Sequence, residues 1–258
     1  LRICFFGDIV GRPGRTAIIE RTSRLRREHA FDLVLANAEN ASGGLGLTSK
    51  SARQLLAAAG LDVLTSGNHI WKHKDLISFF QENDRVLRPA NYPEGAPGAG
   101  LGIYQTESGM PYAIINLLGR TYMDAVDCPF QSAMSLLATV PGDVLVRLVD
   151  FHAEATSEKR AMGFVLDGRV TAVLGTHTHV QTNDAQILPQ GTAYMTDLGM
   201  CGPKDSILGM SVDPIVQRFL TGRPHRFVVA RNPARLEGCS LDVDDASGFA
   251  RSIEAFVA

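Results

Sequence analysis

The chain has few cysteines, no long apolar run and almost no net charge, and each shortage removes a class of protein. Its four cysteines, Cys4, Cys128, Cys201 and Cys239, lie far apart and form no Cys-x-x-Cys pair. Zinc-ribbon and thioredoxin-type sites therefore have no support. Free thiols fit a reducing cytosol, so a cytoplasmic protein is expected. No stretch approaches the roughly 18 uninterrupted apolar residues of a membrane span, and no membrane partner is expected. The opening Leu1-Arg2-Ile3-Cys4-Phe5-Phe6 soon meets Gly7-Asp8, as a first strand does and a secretory leader does not. Basic and acidic residues number 25 and 27, for a net charge of -2. No global basic field attracts RNA, although a local groove remains open. Neither G-x-x-x-x-G-K-[ST] nor G-x-G-x-x-G occurs, so the glycine loop Gly7–Gly14 is only a weak sign of phosphate binding.

What is present suits a large core. The chain has 258 residues, 45% of them hydrophobic, and a mean hydropathy of +0.03. One domain spanning 1–258 is expected, with room for a small insertion or lid around 119–142. Short apolar strands are expected at Arg2–Phe6, Asp32–Ala36, Asp62–Thr65, Asp143–Asp150, Val170–Leu174 and Thr192–Thr196. Helices are expected from Thr16 to His29, from Thr48 to near Gly60, and over Lys74–Glu82, Gln131–Val140, Ser157–Asp167 and Asp213–Leu220. Strand, loop and helix in repeated order argue for an α/β fold. Ile103–Thr106 and Tyr112–Leu117 read as an antiparallel pair. Arg226–Ala230 and Ala234–Val243 read as late strands, followed by a closing helix over Ala246–Phe256.

Polar groups gather immediately after five of these strands: Asp8, Glu39-Asn40, Asn68-His69, His152, and His177 with His179. In α/β folds the working residues collect at the carboxyl ends of strands. Each group alone could be a cap or a loop tie, but those roles give no reason for a shared location. Carboxylates, amide oxygens and imidazoles suit divalent first-row metals, and no thiolate belongs to the set. His177 and His179, two residues apart, project from one side of an extended or tightly turned backbone. A carboxylate able to bridge, with ligands on both sides, suggests two ions, as in sites that clamp both oxygens of a phosphoryl displacement.

Gly7-Asp8, Glu39-Asn40, Gly67-Asn68-His69, His152 and Gly175-Thr176-His177-Thr178-His179 resemble, in order and loop placement, the pattern of calcineurin-like metallophosphoesterases. Two positions depart from it. Ile9-Val10 follows Asp8 where a histidine is usual, and Glu39 stands where an aspartate usually bridges. These departures, with Gly7-Asp8-Ile9-Val10-Gly11-Arg12-Pro13-Gly14-Arg15 and Asn37-Ala38-Glu39-Asn40, resemble the YmdB-like bacterial branch of 2′,3′-cyclic-nucleotide 2′-phosphodiesterases. The resemblance implies layered mixed β-sheets flanked by helices, with a metal site at the C-terminal ends of strands.

The resemblance also implies roles. Two divalent or mixed-valence transition metal ions are expected, iron foremost, with manganese or zinc as alternatives. Glu39 would bridge them; Asp8, Asn40 and His179 would complete one site, and Asn68, His152 and His177 the other. A hydroxide between the ions would attack phosphorus, and His69 would protonate the departing sugar oxygen. The expected substrate is a small cyclic nucleotide, 2′,3′-cyclic before 3′,5′-cyclic AMP, and a homo-oligomer is compatible with the sequence. A phosphatase or nuclease on the same metal pair and a non-catalytic nucleotide-binding regulator are the competing readings.

Overall fold

Strands whose residues are apolar on both faces must be covered on both faces. β1 (Arg2–Phe6) shows the consequence: Ile3 and Phe5 enter one core layer, Cys4 and Phe6 another, and all four are fully buried. The computed structural model describes residues 1–258. After β1 come β2 (Asp8–Ile9), α1 (Gly11–His29), β3 (Leu33–Asn37), α2 (Ser49–Arg53), β4 (Val63–Thr65) and α3 (Asp75–Glu82). The middle holds β5 (Leu101–Gln105), β6 (Pro111–Leu118), α4 (Pro129–Leu137), β7 (Val146–His152), α5 (Thr156–Leu166) and β8 (Ala172–Thr176). The last part holds β9 (Gln186–Ile187), β10 (Ala193–Met195), β11 (Met200–Pro203), α6 (Val212–Thr221), β12 (Ala234–Arg235), β13 (Glu237–Val243) and β14 (Ala250–Val257).

One sheet runs β14-β13-β1-β3-β4, a second β5-β6-β7-β8-β10-β9, and a small third β12-β11-β2. β1, β3 and β4 are parallel, as are β6, β7, β8 and β10. The two large sheets face each other across Phe5, Leu35 and Val63 on one side and Ile114, Leu148 and Leu174 on the other. Burial of each such side chain is worth about 1.5–3 kcal/mol, so this layer fixes how the sheets meet. α1, α2 and α3 cover the outer face of the first sheet through residues such as Ile18, Ala52 and Phe79. α4 and α5 cover the outer face of the second through Ala133, Met162 and Leu166. Parallel strands in both sheets bring β3, β4, β7 and β8 to one edge with their carboxyl ends together.

Several boundaries differ from the sequence reading. α1 begins at Gly11, not Thr16, because the glycine loop turns straight into the helix. Thr48 does cap α2, accepting from the Ser51 amide at 3.2 Å. The stretch 226–230 forms a single β-bridge, between Val229 and Met210, and is not a strand. The expected closing helix is the strand β14. Ala250, Ile253 and Phe256 are spaced by three, as on a helix, but pairing with β13 skips a residue between Ser252 and Ala250. That bulge puts Ala250 and Ile253 on the same inner face, while Phe256 falls on the opposite one.

Candidate metal centre

The shared edge of the two sheets holds the polar groups. Asp8 lies in β2, Glu39 and Asn40 just past β3, and Asn68 and His69 just past β4. His152 ends β7, and His177 and His179 follow β8. Asp8, Glu39 and His152 are fully buried. Both loop histidines sit in left-handed backbone, His177 at φ 102° and His179 at φ 62°. Side-chain-bearing residues avoid that region, so the loop stores strain that its surroundings must hold. The Asp8 carboxylate accepts from the His177 amide at 3.0 Å, and Asp197 accepts from the Thr178 amide at 3.0 Å. Nδ1 of His179 lies 3.1 Å from the carbonyl of Leu208.

Glu39 is the centre of the group. Its Oε1 lies 3.1 Å from each of His152 Nε2, His69 Nδ1 and Asn40 Nδ2, and its Oε2 accepts from the His69 amide at 3.1 Å. His177 Nδ1 approaches His152 Nε2 to 3.0 Å. One donor atom from each of Glu39, His152 and His177 lies within 4.8 Å of the others. On the other side, His179 Nε2 is 3.1 Å from Asn40 Nδ2 and 3.8 Å from Asp8 Oδ1. Gly67 makes this approach feasible: a Cβ there would fall 2.2 Å from the His152 ring and 2.3 Å from Glu39 Oε2.

Burial and proximity set the charges. Burial alone disfavours the charged form of His152, but the Glu39 carboxylate, with Asp8 and Asp150 behind it, outweighs that and lifts the imidazole to about 9. Burial likewise opposes ionisation of Glu39, yet His152 and His69 hold it well below the usual carboxylate range. Burial raises Asp8 to about 6, against the pull of His179 and His152. His177 is pushed down to about 3 by burial and by the positive His152 beside it. Two carboxylates thus converge with three imidazoles, and in this cluster His152, His69 and His179 offset the negative charge.

The donor set fits cations. Oδ1 of Asp8 and Oδ1 of Asn68 are buried without any hydrogen-bond partner, an arrangement that costs about 1–3 kcal/mol per atom unless something completes it. A divalent metal is bound by oxygens and imidazole nitrogens of this kind. Asn68 differs from the other six candidates in that no hydrogen bond ties its side chain to the cluster; only the adjacent His69 amide reaches Glu39.

Behind these residues stands a layer that local sequence does not announce. Nδ1 of His152 lies 2.8 Å from Thr176 Oγ1, which donates to Asp150 Oδ1 at 2.7 Å. Asn37 Nδ2 donates to the other Asp150 oxygen at 2.9 Å. Such a carboxylate-backed chain fixes the ring orientation of a ligating histidine. Asp150 is two residues before His152 and so on the same strand face, the one signal that could have found it. Asp197 is buried against Lys159 Nζ at 2.7 Å, and that ammonium also donates to the Thr176 carbonyl at 2.8 Å. Glu154 Oε2, 3.2 Å from His177 Nε2, is a further neighbour that the sequence did not single out. Trp71 packs against Phe80 and Tyr92, as a core residue does.

Carboxylates, amides and imidazoles gathered at the carboxyl ends of strands from two facing mixed sheets define a metallophosphoesterase. Comparison with known proteins agrees: the model of a family described as YmdB-like protein matches residues 4–256. The chain belongs to this YmdB-like family. It is 46% identical over 254 residues to a Bacillus subtilis (strain 168) protein named 2′,3′-cyclic-nucleotide 2′-phosphodiesterase, covering 98% of this chain and 96% of that one. A crystal structure from Thermus thermophilus, described as of a hypothetical protein, superposes with a TM-score of 0.93 at 42% identity, covering 100% of this chain and 99% of that one. A Mycoplasma pneumoniae structure described as a novel phosphatase gives a TM-score of 0.93 at 34% identity, covering 100% and 93%. The expected fold is therefore present, and the chain is a phosphoesterase. No helix is long and apolar enough to cross a membrane.

Proposed function

We propose that the chain is a dinuclear-metal phosphodiesterase of cyclic nucleotides, with 2′,3′-cyclic nucleotides as its principal substrates and 3′,5′-cyclic AMP as a secondary one. The observation that carries the proposal is Glu39 Oε1, which meets nitrogens of three different side chains at 3.1 Å inside a largely buried cluster. Glu39 would reach both metals, with Asp8, Asn40 and His179 around one and Asn68, His152 and His177 around the other. Oxygen donors from Asp8, Glu39, Asn40 and Asn68 make these sites hard and favour iron or manganese over zinc. When bound, such metals supply Lewis acidity and a water acidic enough to lose a proton near neutral pH.

The chain's own part is to orient substrate and move a proton. His69 Nδ1 is engaged by Glu39 Oε1 and by Asn40 Oδ1 at 3.0 Å. Its Nε2 has no partner, and about a third of the side chain is exposed. A proton on Nε2 is thereby aimed outward, where it can pass to the departing ribose oxygen. Four free thiols, three of them buried, suit the cytoplasmic location that the reading carries with it.

The test is metal analysis paired with product release from 2′,3′-cyclic AMP, 3′,5′-cyclic AMP and a nucleoside monophosphate. About two equivalents of transition metal and preferred hydrolysis of the 2′,3′-cyclic phosphate are expected. Preferred hydrolysis of the monoester would instead make the protein a phosphatase. Metal-free protein with no turnover after Mn²⁺ or Fe²⁺ addition would overturn the proposal.

A further inference from the structure

A cavity lies outside the metal centre, between α1 and the stretch 226–234, with a volume of about 1360 Å³. Five guanidinium groups line it, those of Arg12, Arg15, Arg21, Arg226 and Arg231, against a single carboxylate, Glu20. None of the five forms an ion pair; the arginines that do are Arg24, Arg26, Arg53, Arg235 and Arg251. Arg12, Arg226 and Arg231 are exposed. Arg15 is partly buried and donates to the Ala41 carbonyl, with burial and the nearby Arg12 both lowering its affinity for its proton. In a chain of net charge -2, five unpaired like charges around one cleft repel each other and form a local field that draws anions.

The size and chemistry of the cleft narrow the anion. Its volume exceeds the roughly 300–1,000 Å³ of ordinary small-molecule pockets, which leaves room for a ligand longer than a mononucleotide. Guanidinium forks pair with phosphate through two parallel hydrogen bonds. Phe227 on the rim is 39% exposed, with the Arg218 guanidinium 5.2 Å from its ring centroid. Cationic grooves edged with aromatic rings hold single strands of nucleic acid.

The cleft also shares its walls with the metal centre. Arg15 grips the carbonyl of Ala41, the residue after Asn40, and Gly43 lies in the lining. Ser211 lines the cleft three residues after Leu208, whose carbonyl meets His179. Val229 fills the space over Gly44 and over Gly11, whose amide donates to the Asn40 carbonyl at 2.9 Å.

We infer that the cleft between α1 and residues 226–234 binds single-stranded RNA and leads its 3′ end to the metal centre. The choice of RNA rests on the cyclic-nucleotide function proposed above. A 2′,3′-cyclic phosphate requires a ribose 2′-hydroxyl, and it forms as a chain end when that hydroxyl displaces the neighbouring nucleotide.

The test is fluorescence anisotropy of a 5′-labelled RNA about ten nucleotides long, ending in a 3′-phosphate, with the full chain and its Arg12→Ala/Arg226→Ala/Arg231→Ala variant. All three side chains are exposed, and thermal melting confirms that the variant folds. The intact chain is expected to bind with affinity that falls steeply as salt rises. The variant should bind about tenfold or more weakly, with a shallower salt slope, and hydrolyse 2′,3′-cyclic AMP at the original rate. Equal RNA affinity of the two proteins, or no binding by the intact chain, would overturn the inference. So would displacement of the RNA by phosphatidylglycerol vesicles as effective as by unlabelled RNA. RNA binding without turnover of any cyclic phosphate would sink the proposed chemistry and keep the cleft; mononucleotide turnover without RNA binding would do the opposite.

Discussion

His69 presents its two ring nitrogens to different surroundings, one to Glu39 and Asn40 and one to open space. His69→Ala should keep the metals and lower turnover of 2′,3′-cyclic AMP by about 10²–10⁴. Bis(p-nitrophenyl) phosphate, whose leaving group needs no proton, should suffer far less; equal losses on both substrates would remove the general-acid role. Thr176→Val tests the layer behind. It keeps the shape, removes the hydroxyl between His152 and Asp150, and should weaken metal retention about 10–100-fold in a chelator titration. The clustered positions were readable because each is announced locally by a strand end and its turn. Asp150 was not, because it sits within an apolar strand and its partners come from β3 and β8. Lys159 gave no sign either, since Asp197, the acid that neutralises it, is 38 residues away.

At the scale of elements, the loop carrying His177 and His179 is held from both ends. Asp184 fixes its far end, accepting from Thr182 Oγ1 at 2.7 Å and from the Thr196 amide at 3.0 Å. Burial works against its charge, but the hydroxyls of Thr196 and Thr182 prevail and hold it below the usual aspartate value. A depressed folded value contributes stability above the unfolded aspartate value of about 3.9 and loses it as pH falls toward the folded one. Asp184→Asn should therefore lower Tm near pH 7, with the gap from the parent closing below about pH 4; a gap constant with pH in thermal melts would refute this. β14 teaches a different lesson. The bulge brought Ala250 and Ile253 to one face and Phe256 is buried on the other, so an apparent three-residue repeat named a helix where β13 imposed a strand. Phe256 on that strand meets Phe6, His29 and Phe31. Phe256→Ala should cost about 3 kcal/mol in denaturant unfolding while leaving turnover intact, because this contact lies on the helix side of the first sheet.

The whole molecule divides its candidate ligands between sheets. Glu39, Asn40 and Asn68 follow strands of the first, and His152, His177 and His179 end or follow strands of the second; Asp8 comes from the small third sheet. Metal held by this set would therefore tie the sheets together as well as serve chemistry. Stripping it with a chelator should lower Tm by on the order of 5–10 °C, reversed by Mn²⁺, since about 1 kcal/mol shifts Tm by 2–4 °C at this size. An unchanged Tm would mean that Asp8 and Asn68 are completed by something else. The α/β class was legible from the alternation of apolar strands and helices, and the layering from the family resemblance, whereas the arginine cleft was not. Its basic residues lie near 12–21 and 226–231, and only the fold brings them together.

The sharing of ligands among sheets also bears on how the chain matures. No single sheet offers the full proposed set, so a nascent or half-collapsed chain holds at most part of a coordination shell. On the proposed ligand set, metal would enter as a keystone, after the walls are up. Refolding in the presence of a chelator should then proceed at its normal speed and stop at a competent but empty shell, which sparing amounts of metal activate within the mixing time.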